Sequence, residues 1–161
     1  MRVLGIDPGI ARTGWGILEE TNGKIKTLAY DCLETSSDEK ILDRLLKIYK
    51  EMLKVVEKFK PDTVAIEELF FNTNAKTAFV VGQARGVILL ACSQKDLSLS
   101  VYTPLQVKIA VTGYGRAEKA QVGEMVKTIL SLKTVPKPDD TADALAVGLT
   151  HLFSRRIEGK V

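Results

Sequence analysis

Apolar residues recur with two different periods along this chain, and the switches between them mark out its elements. Residues 2 to 7 (RVLGID) form a short, mainly apolar run that predicts a buried strand. Residues 14 to 20 and 25 to 34 predict two more, joined by Thr21-Asn22-Gly23-Lys24. Asn-Gly between two apolar runs is a strong hairpin signal, because both residues tolerate the positive φ of a tight turn. The three strands therefore read as an antiparallel meander. The period then changes. Ile41, Leu42, Leu45, Leu46, Tyr49, Met52, Leu53, Val56 and Phe59 recur at three-to-four spacing, which predicts a helix with one buried face. Ser36, with Glu39 three residues on, reads as its capping box, and Pro61 as its stop. Residues 63 to 67 (TVAIE) and 98 to 102 predict a fourth and a fifth strand. Between them, residues 75 to 94 predict a helix that is apolar nearly all round from Ala78 to Cys92. A surface helix would not be, so this one is either central or packed against another subunit. Helices over 104 to 111, 118 to 132 and 139 to 154 finish the chain.

Strands reached through helical crossovers run parallel to one another, whereas a meander is antiparallel. The expected architecture is therefore α/β, a five-stranded mixed sheet with helices on its faces. The 161 residues show no repeat, low-complexity tract or linker, and one domain over 1 to 161 is expected.

Composition narrows the class. The chain is 45% hydrophobic with a net charge of +3, too apolar and too close to neutral for disorder. It lacks the run of about 20 apolar residues that a membrane helix needs. The start, MRVLGIDPG, carries a charge and an aspartate where a secretory signal needs its apolar stretch, so a cytoplasmic location is expected. Cys32 and Cys92, the only cysteines, are too few for a disulfide framework or a zinc site and read as reduced core thiols. Between 71 and 119, Lys76, Arg85, Lys95, Lys108, Arg116 and Lys119 face only Asp96 and Glu118, a local surplus of 6 − 2 = +4. Such a field suits a polyanionic partner, although ordinary surface lysines would look the same.

Asp7 ends the first strand and Glu67 the fourth. A carboxylate at the end of an apolar strand costs free energy unless it is hydrogen-bonded or binds a cation. The simpler readings are a turn-forming Asp-Pro-Gly and a solvated Glu67-Glu68 pair. If the two strands are parallel neighbours, however, both carboxylates meet at the C-terminal edge of the sheet, where ligands bind in open α/β folds. Asp139, Asp140 and Asp143 open the last helix. Asp139 suits a capping role, whereas Asp140 and Asp143, three apart, share a helix face. Were that helix docked beside the strand ends, four carboxylates would converge. Oxygen-only ligands suit Mg²⁺ or Mn²⁺, and two such ions can drive in-line displacement at a phosphodiester. His151 lies two helical turns beyond Asp143 and reads as structural, while Arg85, inside the apolar helix, needs an acidic or phosphate partner.

Five segments, in order, make the sequence recognisable: GIDPGIARTGWG at 5 to 16, AIEELFF at 65 to 71, GQARG at 82 to 86, GYGRAEKAQV at 113 to 122 and DDTADALAVGLTH at 139 to 151. Together they resemble the RuvC family of Holliday-junction resolvases, crossover junction endodeoxyribonucleases of recombination and repair. The resemblance implies a ribonuclease-H-like fold. It places the catalytic, metal-binding carboxylates at Asp7, Glu67, Asp140 and Asp143 and sets Glu68 and Asp139 aside. It puts Lys108 and Lys119 on DNA near the scissile phosphate, and Phe70 on a base near the junction centre, a role Phe71 could share or take. It further implies Mg²⁺ (or Mn²⁺), two ions per site, a four-way junction substrate cut symmetrically to 5′-phosphate ends, and the partners RuvA and RuvB. Two symmetric cuts require two active sites, hence a homodimer, for which the helix at 78 to 92 is the candidate interface. Two rivals are weighed against this reading. The GxDxG start also occurs in actin-like ATPases, which need a second domain and a second nucleotide motif. A catalytically inactive junction-binding module would be expected to have lost carboxylates, and all four are present.

Overall fold

The structure is a computed structural model that describes residues 1–68 and 75–158, excluding the side chains of 75–77 and 157–158. Its elements run β1 (Arg2–Asp7), β2 (Arg12–Thr21), β3 (Lys24–Glu34), α1 (Ile41–Phe59), β4 (Thr63–Glu67), α2 (Ala75–Ser93), β5 (Ser98–Tyr102), α3 (Pro104–Thr112), α4 (Lys119–Ile129) and α5 (Asp139–Glu158). The five strands form one sheet in the order β3-β2-β1-β4-β5. β1 pairs antiparallel with β2 and parallel with β4, and β5 adds parallel to β4. The mixed sheet expected from the pattern is the one observed. Asn22 and Gly23 turn the β2–β3 hairpin with φ of 52° and 74°, as the Asn-Gly signal requires.

Alternating strand positions feed two cores. On one face Leu4, Ile6, Ile17, Val64 and Ile66 pack with Ile48, Met52, Val55 and Val56 of α1 and Ala84, Ile88 and Ala91 of α2. On the other, Val3, Leu18 and Ala65 pack with Val107, Val122 and Val126 and with Leu145, Leu149 and Leu152 of α5. α5 lies unusually close to the sheet. A Cβ on Gly14 would overlap the main-chain carbonyl of Asp140, and one on Gly5 that of Ala144. Glycine at these two positions lets the start of α5 rest on the sheet, which carries Asp140 and Asp143 to the end of β1.

Two local expectations are corrected. Ser36 and Glu39 do meet, the Ser36 amide donating to Glu39 Oε1 at 2.9 Å, yet α1 starts only at Ile41, with Lys40 as its N-cap. The Asp38 amide donates to Ser36 Oγ, and the Thr35 amide to the Ala11 carbonyl. These bonds hold 36–39 as a turn ahead of the helix. Cys92 is buried as expected, but Cys32 is only partly covered, because it lies on the edge strand β3. No helix among the described residues is long and apolar enough to cross a membrane.

Candidate active site

Ile6 pairs with Ile66 in the β1–β4 ladder, so the next residues, Asp7 and Glu67, stand side by side at the strand ends. Both have the parity of Val3 and Ala65 and therefore face α5. There they meet the first turns of that helix, from which Asp140 and Asp143 project. α3 and α4 complete the surroundings. Thr103 and Gln106 form a capping box around the start of α3, and Glu118 and Gln121 one around the start of α4. These caps fix Lys108 on α3 and Lys119 as the first residue of α4. Glu67, Lys108, Lys119 and Asp143 line one pocket of about 250 Å³.

The electrostatics bear the marks of crowded like charge. Burial, and then the charges of Glu67, Asp143 and Asp140, push Asp7 up to about 8, against a smaller opposing pull from Lys119. Burial and Asp143 push Glu67 up to about 7. Asp143 is also raised, by burial first, although Lys119 works against that. Lys119 Nζ lies 2.7 Å from Asp143 Oδ2. Burial disfavours its ammonium, but the hydrogen bond to Asp143 and the neighbouring carboxylates outweigh this and hold its pKa above the usual lysine value. Asp139 differs from the other two aspartates of the segment. It is exposed and bonded to Lys137 at 2.7 Å, which keeps its pKa low. Glu68 is exposed, and its amide continues the β4–β5 pairing to the Tyr102 carbonyl.

The structure thus brings together Asp7, Glu67, Asp140, Asp143, Lys108 and Lys119. It leaves Arg85 apart, half-buried on α2, with its Nε buried and without a hydrogen-bond partner among the described residues. Phe70 and Phe71 lie outside the described residues. His151 is buried, with Nδ1 2.9 Å from the Tyr102 hydroxyl, a structural placement as expected. Sequence reasoning missed a second opening beside Asp140, about 700 Å³ in volume and lined by Arg12 and Arg44. Both arginines precede residue 71, so the charge tally over 71 to 119 could not register them. The available signal was the position of Arg12 at the start of β2, just past the loop that follows Asp7.

The donor set fits a hard cation, being all oxygen, with Asp7, Glu67 and Asp143 pushed up by burial and like charge that a bound cation would relieve. Among the described residues, no three acidic, histidine or cysteine side chains form a ready-made metal cage. Asp143 instead has one oxygen on Lys119, so an incoming cation would take over that counter-charge.

A mixed five-stranded sheet with carboxylates at the ends of its parallel neighbours and on a helix docked across them defines a ribonuclease-H-like protein. Comparison with known proteins specifies which. The family model described as crossover junction endodeoxyribonuclease RuvC matches residues 3–151. The RuvC of Finegoldia magna is 59% identical, covering 98% of this chain and 96% of its own length. That of Caldicellulosiruptor saccharolyticus is 57% identical over 96% of this chain and 93% of its own. The structure of Thermus thermophilus RuvC in complex with a Holliday junction superposes with a TM-score of 0.93 at 40% identity, covering 98% of this chain and 96% of that one. The chain belongs to the RuvC family.

Proposed function

We propose that this chain, as a single nuclease unit, resolves four-way DNA junctions through the carboxylate cluster, in recombination and repair within the cytoplasm. Its family is one of crossover junction endodeoxyribonucleases, and a relative's structure holds a Holliday junction. Asp7 and Glu67 would hold one divalent cation and Asp140 and Asp143 a second, Mg²⁺ in preference with Mn²⁺ as a substitute. When bound, these ions supply Lewis-acid activation of the attacking water and neutralise charge at the leaving oxygen. The remaining work belongs to the chain. The four carboxylates would hold the cations that receive the reacting phosphate at the sheet edge, while the Lys108 and Lys119 ammonium groups would draw it in and offset its charge. Lys119, released from Asp143 once a cation is present, becomes available to a phosphate oxygen. The scissile bond breaks between phosphorus and the 3′ oxygen, leaving a 5′-phosphate. Phe70, with Phe71 as the other candidate, would stack on a base at the junction centre, and Arg85 would face a phosphate.

The observation that carries this reading is the convergence of Asp7 and Glu67 at neighbouring strand ends with Asp140 and Asp143 on the docked start of α5, a crowding that pushes Asp7 up to about 8. Crowded, buried carboxylates of this kind mark a functional site, and a bound cation would relieve their repulsion.

Two cuts of like polarity need two sites, so the unit is a homodimer. α2 is its interface: Ala84, Ile88 and Ala91 face the core, whereas Phe79 and Leu90 are 70% and 53% exposed. The branch-migration proteins RuvA and RuvB are the expected partners at the junction.

The test is substitution. Asp7→Asn, Glu67→Gln, Asp140→Asn and Asp143→Asn should each lower junction cleavage by at least about a thousandfold. Junction binding, which depends on the lysines, should persist in each variant. Glu68→Gln and Asp139→Asn should cleave normally. Strong residual cutting by one of the four removes that residue from the site.

A further inference from the structure

The carboxylate cluster has an opening on either side. One is the Lys108–Lys119 pocket. The other is the groove of about 700 Å³ that begins at Asp140 and runs between the β1–β2 loop and the turn ahead of α1. A DNA strand whose phosphate lies over the carboxylates has to continue past them, and the groove offers a path that carries two arginines away from the lysine side.

Arg44 is built for this role. Its Nε donates to Thr35 Oγ1 at 2.8 Å, and Thr35 is itself buried and hydrogen-bonded to the main chain of Ile10 and Ala11. The guanidinium is thereby held in place, while its two terminal nitrogens make no hydrogen bond or ion pair among the described residues. A fixed guanidinium with free fork donors matches two phosphate oxygens. Across the groove, Arg12 is 55% exposed, with Nε 3.2 Å from Glu34. Ser36 and Ser37, both exposed at its rim, add hydroxyl groups of the kind that position a DNA backbone. Two acidic groups border the groove. Glu34 is committed to Arg12, and Asp140 would be neutralised by the cation of the active site.

We propose that this groove binds the backbone of the cut strand on the side away from Lys108 and Lys119, with Arg44 as the principal phosphate anchor and Arg12 as the second. The proposal rests on the nuclease reading and adds a positioning surface to it. With the strand held on both sides of the cluster, the scissile phosphate is fixed along the strand rather than only attracted to the site.

The experiment measures equilibrium binding of the full chain to a synthetic four-way junction with Ca²⁺ in place of Mg²⁺, so that Asp140 is screened as in the working site, across a salt series, with single-turnover cleavage in Mg²⁺ alongside. Arg44→Met should weaken binding about tenfold and lower the salt slope by about one, and Arg44→Lys should recover part of both. Ser37→Glu, a change at an exposed position, should weaken binding in the same direction and decides the matter if Arg44→Met fails to fold. A junction with one neutral methylphosphonate on the groove side of the cut should bind wild type about tenfold more weakly and Arg44→Met no more weakly than an unmodified junction. Wild-type affinity and salt slope in both Arg44→Met and Ser37→Glu would overturn the proposal. So would a methylphosphonate penalty that is equal in wild type and Arg44→Met at every position along the cut strand. Cleavage by wild type reports separately on the nuclease reading, which survives either result.

Discussion

Asp7 sits where burial and like charge act together, and the consequence extends beyond catalysis. A carboxyl whose folded-state pKa is about 8 against 3.8 in the unfolded chain binds its proton more tightly when folded. The folded state is therefore progressively penalised as pH rises from about 4 to about 8, and the penalty is complete above that. Glu67, raised to about 7, adds to it in the lower part of that window. The metal-free protein should lose thermal stability between pH 5 and pH 8, and Asp7→Asn should raise its melting temperature at pH 8 by at least about 4 °C. At pH 5 the gap should be much smaller, and it should close near pH 4. Mg²⁺ should stabilise wild type more at pH 8 than at pH 5.5. A metal-free melting temperature that climbs toward pH 8, with no gain from Asp7→Asn, would mean that the carboxylates are not crowded in solution. Lys108 and Lys119 act differently. Lys108→Ala and Lys119→Ala should each weaken junction binding and reduce its salt slope by about one, since on the proposed reading each would remove one phosphate contact.

At the scale of elements, much was legible because one face of each strand and helix is dictated by burial. The Asn-Gly turn fixed the hairpin, the three-to-four spacing fixed α1, and the adjacency of β1 and β4 followed from the meander and the crossover. That adjacency is what let the sequence pair Asp7 with Glu67. The docking of α5 was less accessible. It depends on the bare Cα atoms of Gly5 and Gly14 under the helix, a three-dimensional fit that no periodicity reports. The start of α1 was misplaced for a related reason: Ser36 and Glu39 satisfy each other in a turn held to the β1–β2 loop through Thr35 and Ala11. Arg44, whose anchor Thr35 is nine residues away in sequence, was invisible to any local pattern. For α2, the near-uniform apolarity correctly left two options, and the structure separates its faces. Leu89 packs toward the core, so a charge there tests folding, whereas Phe79 and Leu90 face outward. Leu90→Glu and Phe79→Glu should therefore yield a folded monomer, because a charge buried in an apolar interface costs several kcal/mol. Sedimentation of the variants checks this, and an intact dimer in both would move the interface off α2.

The whole molecule is an open mixed sheet that gathers carboxylates at one edge, a lysine pocket and an arginine groove on either side of them, and an uncovered apolar helix face elsewhere. Each part suits an enzyme that works as a pair on a branched polyanion. An actin-like ATPase reading lacks a second nucleotide-binding motif in the sequence, and an inactive binding module would have no use for a cluster that raises Asp7 to about 8. The central claim is structure-selective cleavage at this edge. Its most direct test is a denaturing gel of purified protein incubated with Mg²⁺ and either a synthetic four-way junction or a linear duplex of the same sequence, each strand end-labelled in turn. The account predicts paired nicks at symmetric positions in two junction strands of like polarity, 5′-phosphate ends, and an uncut duplex. Equal cutting of the duplex, or no cutting of the junction by protein that binds it in Mg²⁺, would contradict it.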